Sequence, residues 1–174
     1  MEDRPLKEIE RRFRLNCSIA DFIYRAESEL PSSVAVRSLP SELIEQVYLQ
    51  NTGDWTIRGR HVMYSHDGYS DDYILTMKHR LTAVECIEIE TLTSSIQYAV
   101  MAGMCGHKPL VKRRYHHAAS GFTIDQFLNP ELNDLALAEI ELTSPDQTFP
   151  IPWFIGEEVT GQITNRRLAE ENLR

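Results

Sequence analysis

The feature that most constrains this chain is an alternation. Six segments carry polar or charged side chains two residues apart with an intervening residue between them. They are Glu8/Glu10/Arg12, Arg58/Arg60, Thr76/Lys78, Glu88/Glu90, Lys112/Arg114 and Glu139/Glu141. Residues two apart on a strand share a face, so each segment reads as a strand with one charged side. For a single strand the ordinary reading is a solvated face with cross-strand ion pairs. Six strands together point instead to one charged surface, with the apolar alternates packed outward against helices. Clustered carboxylates beside guanidinium and ammonium groups suit a ligand that brings both charges. The acids take Mg²⁺ or Mn²⁺ and the cations take phosphate oxygens.

Period two recurs over residues 7–15, 43–50, 55–63, 72–78, 85–90, 110–117, 122–127 and 135–142, which predicts about eight strands. Asn51-Thr52-Gly53-Asp54 reads as a turn, and His66-Asp67-Gly68 as the turn of a hairpin. Ile19, Phe22, Ile23 and Ala26 have helical spacing, ended by Pro31. Residues 93–105 read as a second helix with Ile96, Ala99, Val100 and Met104 on one face, stopped by Gly106. A Pro-rich turn, the pair Trp153-Phe154 and a polar C-terminal helix complete the chain. Short turns favour antiparallel neighbours, so the expected class is α+β, mainly β. The architecture is an antiparallel barrel or strongly curved sheet with helices outside. No repeat or linker divides the chain, and residues 1–174 read as one domain.

Composition excludes several roles. Twenty-six acids against 18 lysines and arginines give a net charge of -8, which argues against a groove for duplex nucleic acid. No apolar run approaches the ~20 residues of a membrane span, and the charged opening is unlike a signal peptide. Cys17, Cys86 and Cys105, widely spaced and odd in number, read as reduced thiols of a cytoplasmic protein. His116 and His117 point to opposite faces of a regular strand and cannot share an ion, although His116 has the parity to line the charged surface. Residues 103–108 lack the spacing of a phosphate loop and the Ser or Thr after its lysine.

The ordered motifs resemble the CYTH proteins, or triphosphate tunnel metalloenzymes. Glu8-Ile9-Glu10-Arg11-Arg12 is similar to that family's E-x-E-x-K, with arginine in place of the lysine. Gln46-Val47-Tyr48-Leu49 resembles Q-G-Y-L, Arg58-Gly59-Arg60 resembles R-x-R, and Leu75-Thr76-Met77-Lys78 resembles L-T-x-K. Lys112-Arg113-Arg114-Tyr115, Ile124-Asp125-Gln126-Phe127 and Ala138-Glu139-Ile140-Glu141-Leu142 follow in the family's order, as does the segment from Trp153 to Gly161 with Asn165 and Leu168. On the fifth strand the family's R-x-E-x-E is blurred. Ala83 takes the arginine position and Ile87 the second acid, so Glu85, Glu88 and Glu90 compete for one role.

The resemblance implies an eight-stranded antiparallel tunnel binding a triphosphate with Mg²⁺ or Mn²⁺. Carried over by position, Arg12, Arg58, Arg60, Lys78, Lys112 and Arg114 contact phosphates. Glu8, Glu10, Asp125, Glu139 and Glu141 hold the metal. Lys78 and Tyr48 correspond to a catalytic pair in the small bacterial members, which hydrolyse inorganic triphosphate. Surrounding cations would lower the Lys78 pKa and fit it for a base role, the alternative being one more phosphate contact. Adenylate cyclase, thiamine or nucleoside triphosphatase, and a non-catalytic polyphosphate-binding module are the competing readings. Monomer and homodimer are both compatible with the sequence.

Overall fold

A computed structural model describes residues 7–30, 38–64 and 70–173; Pro31 and the turn at His66-Asp67-Gly68 lie outside them. Its strands are β1 (Lys7–Leu15), β2 (Ser41–Thr52), β3 (Trp55–Tyr64), β4 (Asp71–Arg80), β5 (Glu85–Leu92), β6 (Leu110–His117), β7 (Phe122–Phe127), β8 (Ala136–Leu142) and β9 (Ile155–Glu158). The helices are α1 (Ile19–Ser28), α2 (Ser95–Met104) and α3 (Asn165–Asn172). β2 runs through Asn51 and Thr52, so its turn shrinks to Gly53-Asp54, with Gly53 at a φ of 60°.

Hydrogen bonding orders the strands β5-β4-β3-β2-β6-β7-β8-β1, and β1 then pairs β5. All of these pairings are antiparallel, and the sheet closes into an eight-stranded barrel. β1 pairs β5 through Lys7–Ile9 and β9 through Phe13 and Leu15. The ninth strand was not legible in sequence, because four residues after a Pro-rich turn carry too little alternation to register.

The apolar alternates do face outward. Ile9 and Phe13 of β1, Phe122 and Ile124 of β7, and Ile140 of β8 pack against Phe22 and Ala26 of α1 and against Phe154. Phe22 and Phe154 meet edge-on with ring centres 5.0 Å apart. Ser18 caps α1 by accepting from the Asp21 amide, and Ser94 and Gln97 form a reciprocal capping box at α2. A second apolar cluster joins Tyr48, Leu110, Phe127 and Leu137 to Leu132, Val159, Ala169 and Leu173. The first four lie near the end of β2, the start of β6, the end of β7 and the start of β8. In an antiparallel barrel those positions share one end, which α3 and its flanks seal.

The face of α2 that the sequence groups together points away from the barrel. Ile96, Val100 and Met104 are exposed. Tyr98 and Met101 make the contact instead, lying over Gly59 of β3 where the absent side chain leaves room.

Candidate active site

Register fixes which side chains enter the barrel. Pairing Glu8 with Cys86, Lys78 with Glu88, Thr76 with Glu90 and Arg58 with Thr76 puts all of them on the inner face. The same face continues through Tyr48 with Arg58, Gln46 with Arg60, Arg114 with Asp125, Thr123 with Glu139, and Arg12 with Glu139. Arg12, Arg58, Arg60, Lys78, Lys112 and Arg114 therefore converge on one lumen with Glu8, Glu10, Glu88, Glu90, Asp125 and Glu139. Glu141 holds the same parity opposite Glu10, but it is exposed.

Glu85 is a correction. It pairs with Ile9 on the outer face, and its carboxylate lies 2.6 Å from Lys7 Nζ. The inward residues of β5 are Cys86, Glu88 and Glu90, so the x-E-x-E spacing is intact three residues later than the motif reading put it. Cys86 takes the position where the family pattern carries arginine. The sequence signal for Cys86 was its alternation with the two acids. Its thiol donates to Glu8 Oε2 at 3.2 Å, and burial pushes it up to about 12. Glu8, Cys86 and Glu88 also bring potential metal-ligand atoms close together.

Each lumen cation is paired. Lys78 Nζ lies 2.5 Å from Glu8 and 3.0 Å from Glu88, while Arg58 lies 3.3 Å from Glu88 and 3.7 Å from Glu90. Arg60 also engages Glu90, which accepts from Thr76 Oγ1 at 2.9 Å. Across the barrel, Arg114 donates to Asp125 at 2.7 and 2.8 Å and to Glu139 at 2.7 Å, and Lys112 donates to Asp125. Arg12 bridges Glu10, at 3.0 Å, to Glu139. It also donates to the Ile163 carbonyl at 3.0 Å and to Asn165 Oδ1 at 3.3 Å, which ties the lumen to the C-terminal segment. At the opposite end His116 lies 3.0 Å from Glu42.

These contacts set the protonation states. Burial raises Glu8 to about 6, helped by Glu88 against Lys78. Burial also works against ionised Glu88 and Asp125, but Arg58 and Lys78, and Arg114 and Lys112, hold them well below the usual carboxylate range. Lys112 falls to about 8 through burial and the neighbouring Arg114. For Lys78 the electrostatic expectation is reversed. Burial opposes its charge, but Glu10, Glu88 and Glu8 outweigh it and hold the ammonium well above its usual range. Counting cations in the sequence missed that the register sets Glu88 directly opposite Lys78. Tyr48 is buried in the apolar end, its hydroxyl accepting from Gln46 Nε2 at 3.1 Å, and burial pushes its pKa up.

The lumen donors fit a hard divalent ion, being carboxylate oxygens on four strands. Glu88 Oε2 and Glu139 Oε1 lie within ion-pair reach of Lys78 and Arg12, yet neither accepts a directed hydrogen bond. Lone pairs there stay available to a metal.

A closed antiparallel barrel lined by interleaved cations and carboxylates defines a class of proteins built to hold a polyanion inside a sheet. A curated inorganic triphosphatase of Acetivibrio thermocellus is 32% identical over 122 residues, which cover 68% of this chain and 73% of that protein. The chain belongs to the CYTH, or triphosphate tunnel metalloenzyme, family. Two crystal structures of the protein NE1496, one describing it as hypothetical and one as an inorganic triphosphatase, match with TM-scores of 0.54 and 0.53. Both are 26% identical and cover 93% of this chain and 97% of theirs. No family model matches the sequence.

Proposed function

We propose that the chain hydrolyses inorganic triphosphate to diphosphate and phosphate with Mg²⁺ or Mn²⁺. The observation that carries this reading is the convergence of six cations, from β1, β3, β4 and β6, on one carboxylate-lined lumen. Its closest arrangement of charges is balanced, and a bare polyanion entering it would strip the carboxylates of their partners. A triphosphate that brings divalent metal avoids this. The cations would then serve phosphate oxygens, and the carboxylates they release would be free to hold the metal.

Arg58, Arg60, Lys112 and Arg114 hold and orient the phosphate chain, and Arg12 anchors it near the C-terminal segment. Glu10 and Glu139, with Glu8, Glu88 and Glu90, would hold the metal. Asp125, whose two oxygens are taken by Lys112 and Arg114, keeps those cations in place. The metal supplies Lewis-acid polarisation of the phosphoryl group when bound. Lys78, fully charged, stabilises negative charge developing on phosphate oxygens and does not act as a base. The apolar end at Tyr48, Leu110, Phe127 and Leu137 limits water around the phosphates.

Phosphate release from inorganic triphosphate, ATP and thiamine triphosphate, with Mg²⁺, Mn²⁺ or chelator, tests the reading. Inorganic triphosphate should be the preferred substrate, and chelator should abolish turnover. Undiminished hydrolysis in chelator would overturn the metal's role, and binding without hydrolysis would reduce the protein to a polyphosphate holder.

A further inference from the structure

Arg12 divides its donors between two walls. Nη1 donates to the Ile163 carbonyl at 3.0 Å and to Asn165 Oδ1 at 3.3 Å, while Nη2 donates to Glu10 at 3.0 Å and pairs with Glu139. Nε lies on the same guanidinium edge as Nη2, is buried, and has no acceptor among the described residues. Arg12, Glu139 and Asn165 are 7%, 6% and 7% exposed, so both sets of contacts are shielded from bulk water. The two acceptors on the C-terminal side also offset the positive end of the α3 dipole, which otherwise disfavours a guanidinium at the helix start.

A lysine, which the motif carries at this position, offers its donors from a single nitrogen and lacks the guanidinium's width to bridge the two walls. The difference matters when the site is loaded. On the reading that the chain binds triphosphate with metal, Glu10 and Glu139 serve the ion and Nη2 loses both acceptors. A guanidinium held by those acids alone would then be free to swing. Held at Nη1, it keeps its Nε–Nη2 edge toward the lumen, with two parallel N–H groups suited to phosphate oxygens. The backbone is gripped separately. The Arg12 amide donates to Thr160 Oγ1 at 3.0 Å, and the Val159 amide to the Arg12 carbonyl at 2.8 Å. Truncating Asn165 therefore loosens the Arg12 side chain and leaves the strand in place.

We propose that Asn165, together with the Ile163 carbonyl, is a positioning residue that holds Arg12 for phosphate binding, and that this seat is built for a guanidinium. Both groups act through Arg12. Arginine in place of the motif's lysine and the Asn165 contact are then one unit, not two independent features of the chain. The inference rests on the triphosphate-binding reading above and needs no assignment of a catalytic base.

A double-mutant cycle tests this. Affinity for a non-hydrolysable imido analogue of triphosphate with Mg²⁺, measured by calorimetry, should fall about fivefold in Asn165→Ala and about tenfold in Arg12→Lys. The double variant should bind within about twofold of Arg12→Lys alone, because Asn165 then has no guanidinium to hold. Nitrogen-15 NMR of the arginine side chains gives a readout independent of any ligand. Exchange between the Arg12 Nη1 and Nη2 signals, which reports rotation about Nε–Cζ, should be several-fold faster in Asn165→Ala than in the parent. Additive losses in the cycle would give Asn165 a general structural role, and unchanged affinity or unchanged rotation in Asn165→Ala would remove its hold on Arg12; each overturns the proposal. A protein whose binding follows the cycle but which leaves inorganic triphosphate intact would sink the hydrolysis reading and leave this one standing.

Discussion

Replacing Asp125 by asparagine removes the central counterion of the lumen. Asp125 is fully buried and accepts from Lys112 through Oδ2 and from Arg114 through both oxygens, at 2.7 and 2.8 Å. Asparagine keeps one carbonyl acceptor but turns an amide toward two cations. Arg114 retains Glu139 at 2.7 Å, so the loss falls mainly on buried Lys112. Breaking one side of a buried pair costs about 3–5 kcal/mol, and the surviving Glu139 contact argues for the lower end, about 3 kcal/mol. For a chain of this size that is a fall in Tm of roughly 6–12 °C. The pH dependence identifies the cause. Lys112 is already depressed to about 8, below its unfolded value of 10.5, and loss of Asp125 depresses it further. Between those values the unfolded chain binds more protons than the folded one, so stability gained from neutral Lys112 grows as pH rises. The Tm deficit of Asp125→Asn should therefore be larger at pH 7 than at pH 9.5 in thermal melts. Triphosphate should raise the variant's Tm more than the parent's, because phosphate restores the missing negative charge. A variant melting within about 1 °C of the parent at pH 7, or a deficit that does not change with pH, would refute the reasoning.

Because the lumen carboxylates hold Lys78 charged, Lys78→Arg should keep kcat within about tenfold of the parent, while Lys78→Met should lose about 10²–10³ in steady-state assays. A dead arginine variant would restore the base role. Glu8, raised to about 6, must ionise before it holds a metal, so Mn²⁺ affinity measured by calorimetry should rise between pH 5 and 7. Its folded pKa lies above the unfolded 4.5, so its own contribution to stability is greatest below that value and declines as pH climbs to about 6; Glu8→Gln should flatten both trends. A Cβ at Gly156 would meet the Arg14 carbonyl oxygen at 3.1 Å and the Asn16 nitrogen at 3.3 Å, and neither backbone atom can yield easily. Gly156→Ala should cost about 1–3 kcal/mol in denaturant titrations, and Gly59→Ala, whose tightest contact is the flexible end of Met101 with the Tyr98 ring at 3.4 Å, about 1 kcal/mol or less.

The barrel was legible because charge two residues apart marks a strand face without knowledge of its partners. Arg58 and Arg60, or Lys112 and Arg114, needed only their own spacing to be grouped. What the sequence left open depended on partners. Glu85, Glu88 and Glu90 have mixed parity, and only the pairing of Glu8 with Cys86 decides that Glu85 points out. The Lys78 electrostatics failed for the same reason, since Glu88 lies ten residues away in sequence and directly opposite in register. The α2 residues are apolar around much of the helix, so periodicity alone could not choose the face that packs. That choice was made by the gap above Gly59, which accepts Tyr98 and Met101.

The account turns on an exchange of partners in the lumen, in which metal and triphosphate each release what the other needs. Linkage makes this measurable as a coupling between their affinities. Titrating Mn²⁺ into the protein by calorimetry, alone and saturated with a non-hydrolysable imido analogue of triphosphate, isolates it once the analogue's own Mn²⁺ binding is subtracted. The account predicts Mn²⁺ binding at least about tenfold tighter with the analogue present, a coupling of about 1.4 kcal/mol or more. Equal Mn²⁺ affinity in both titrations would contradict it.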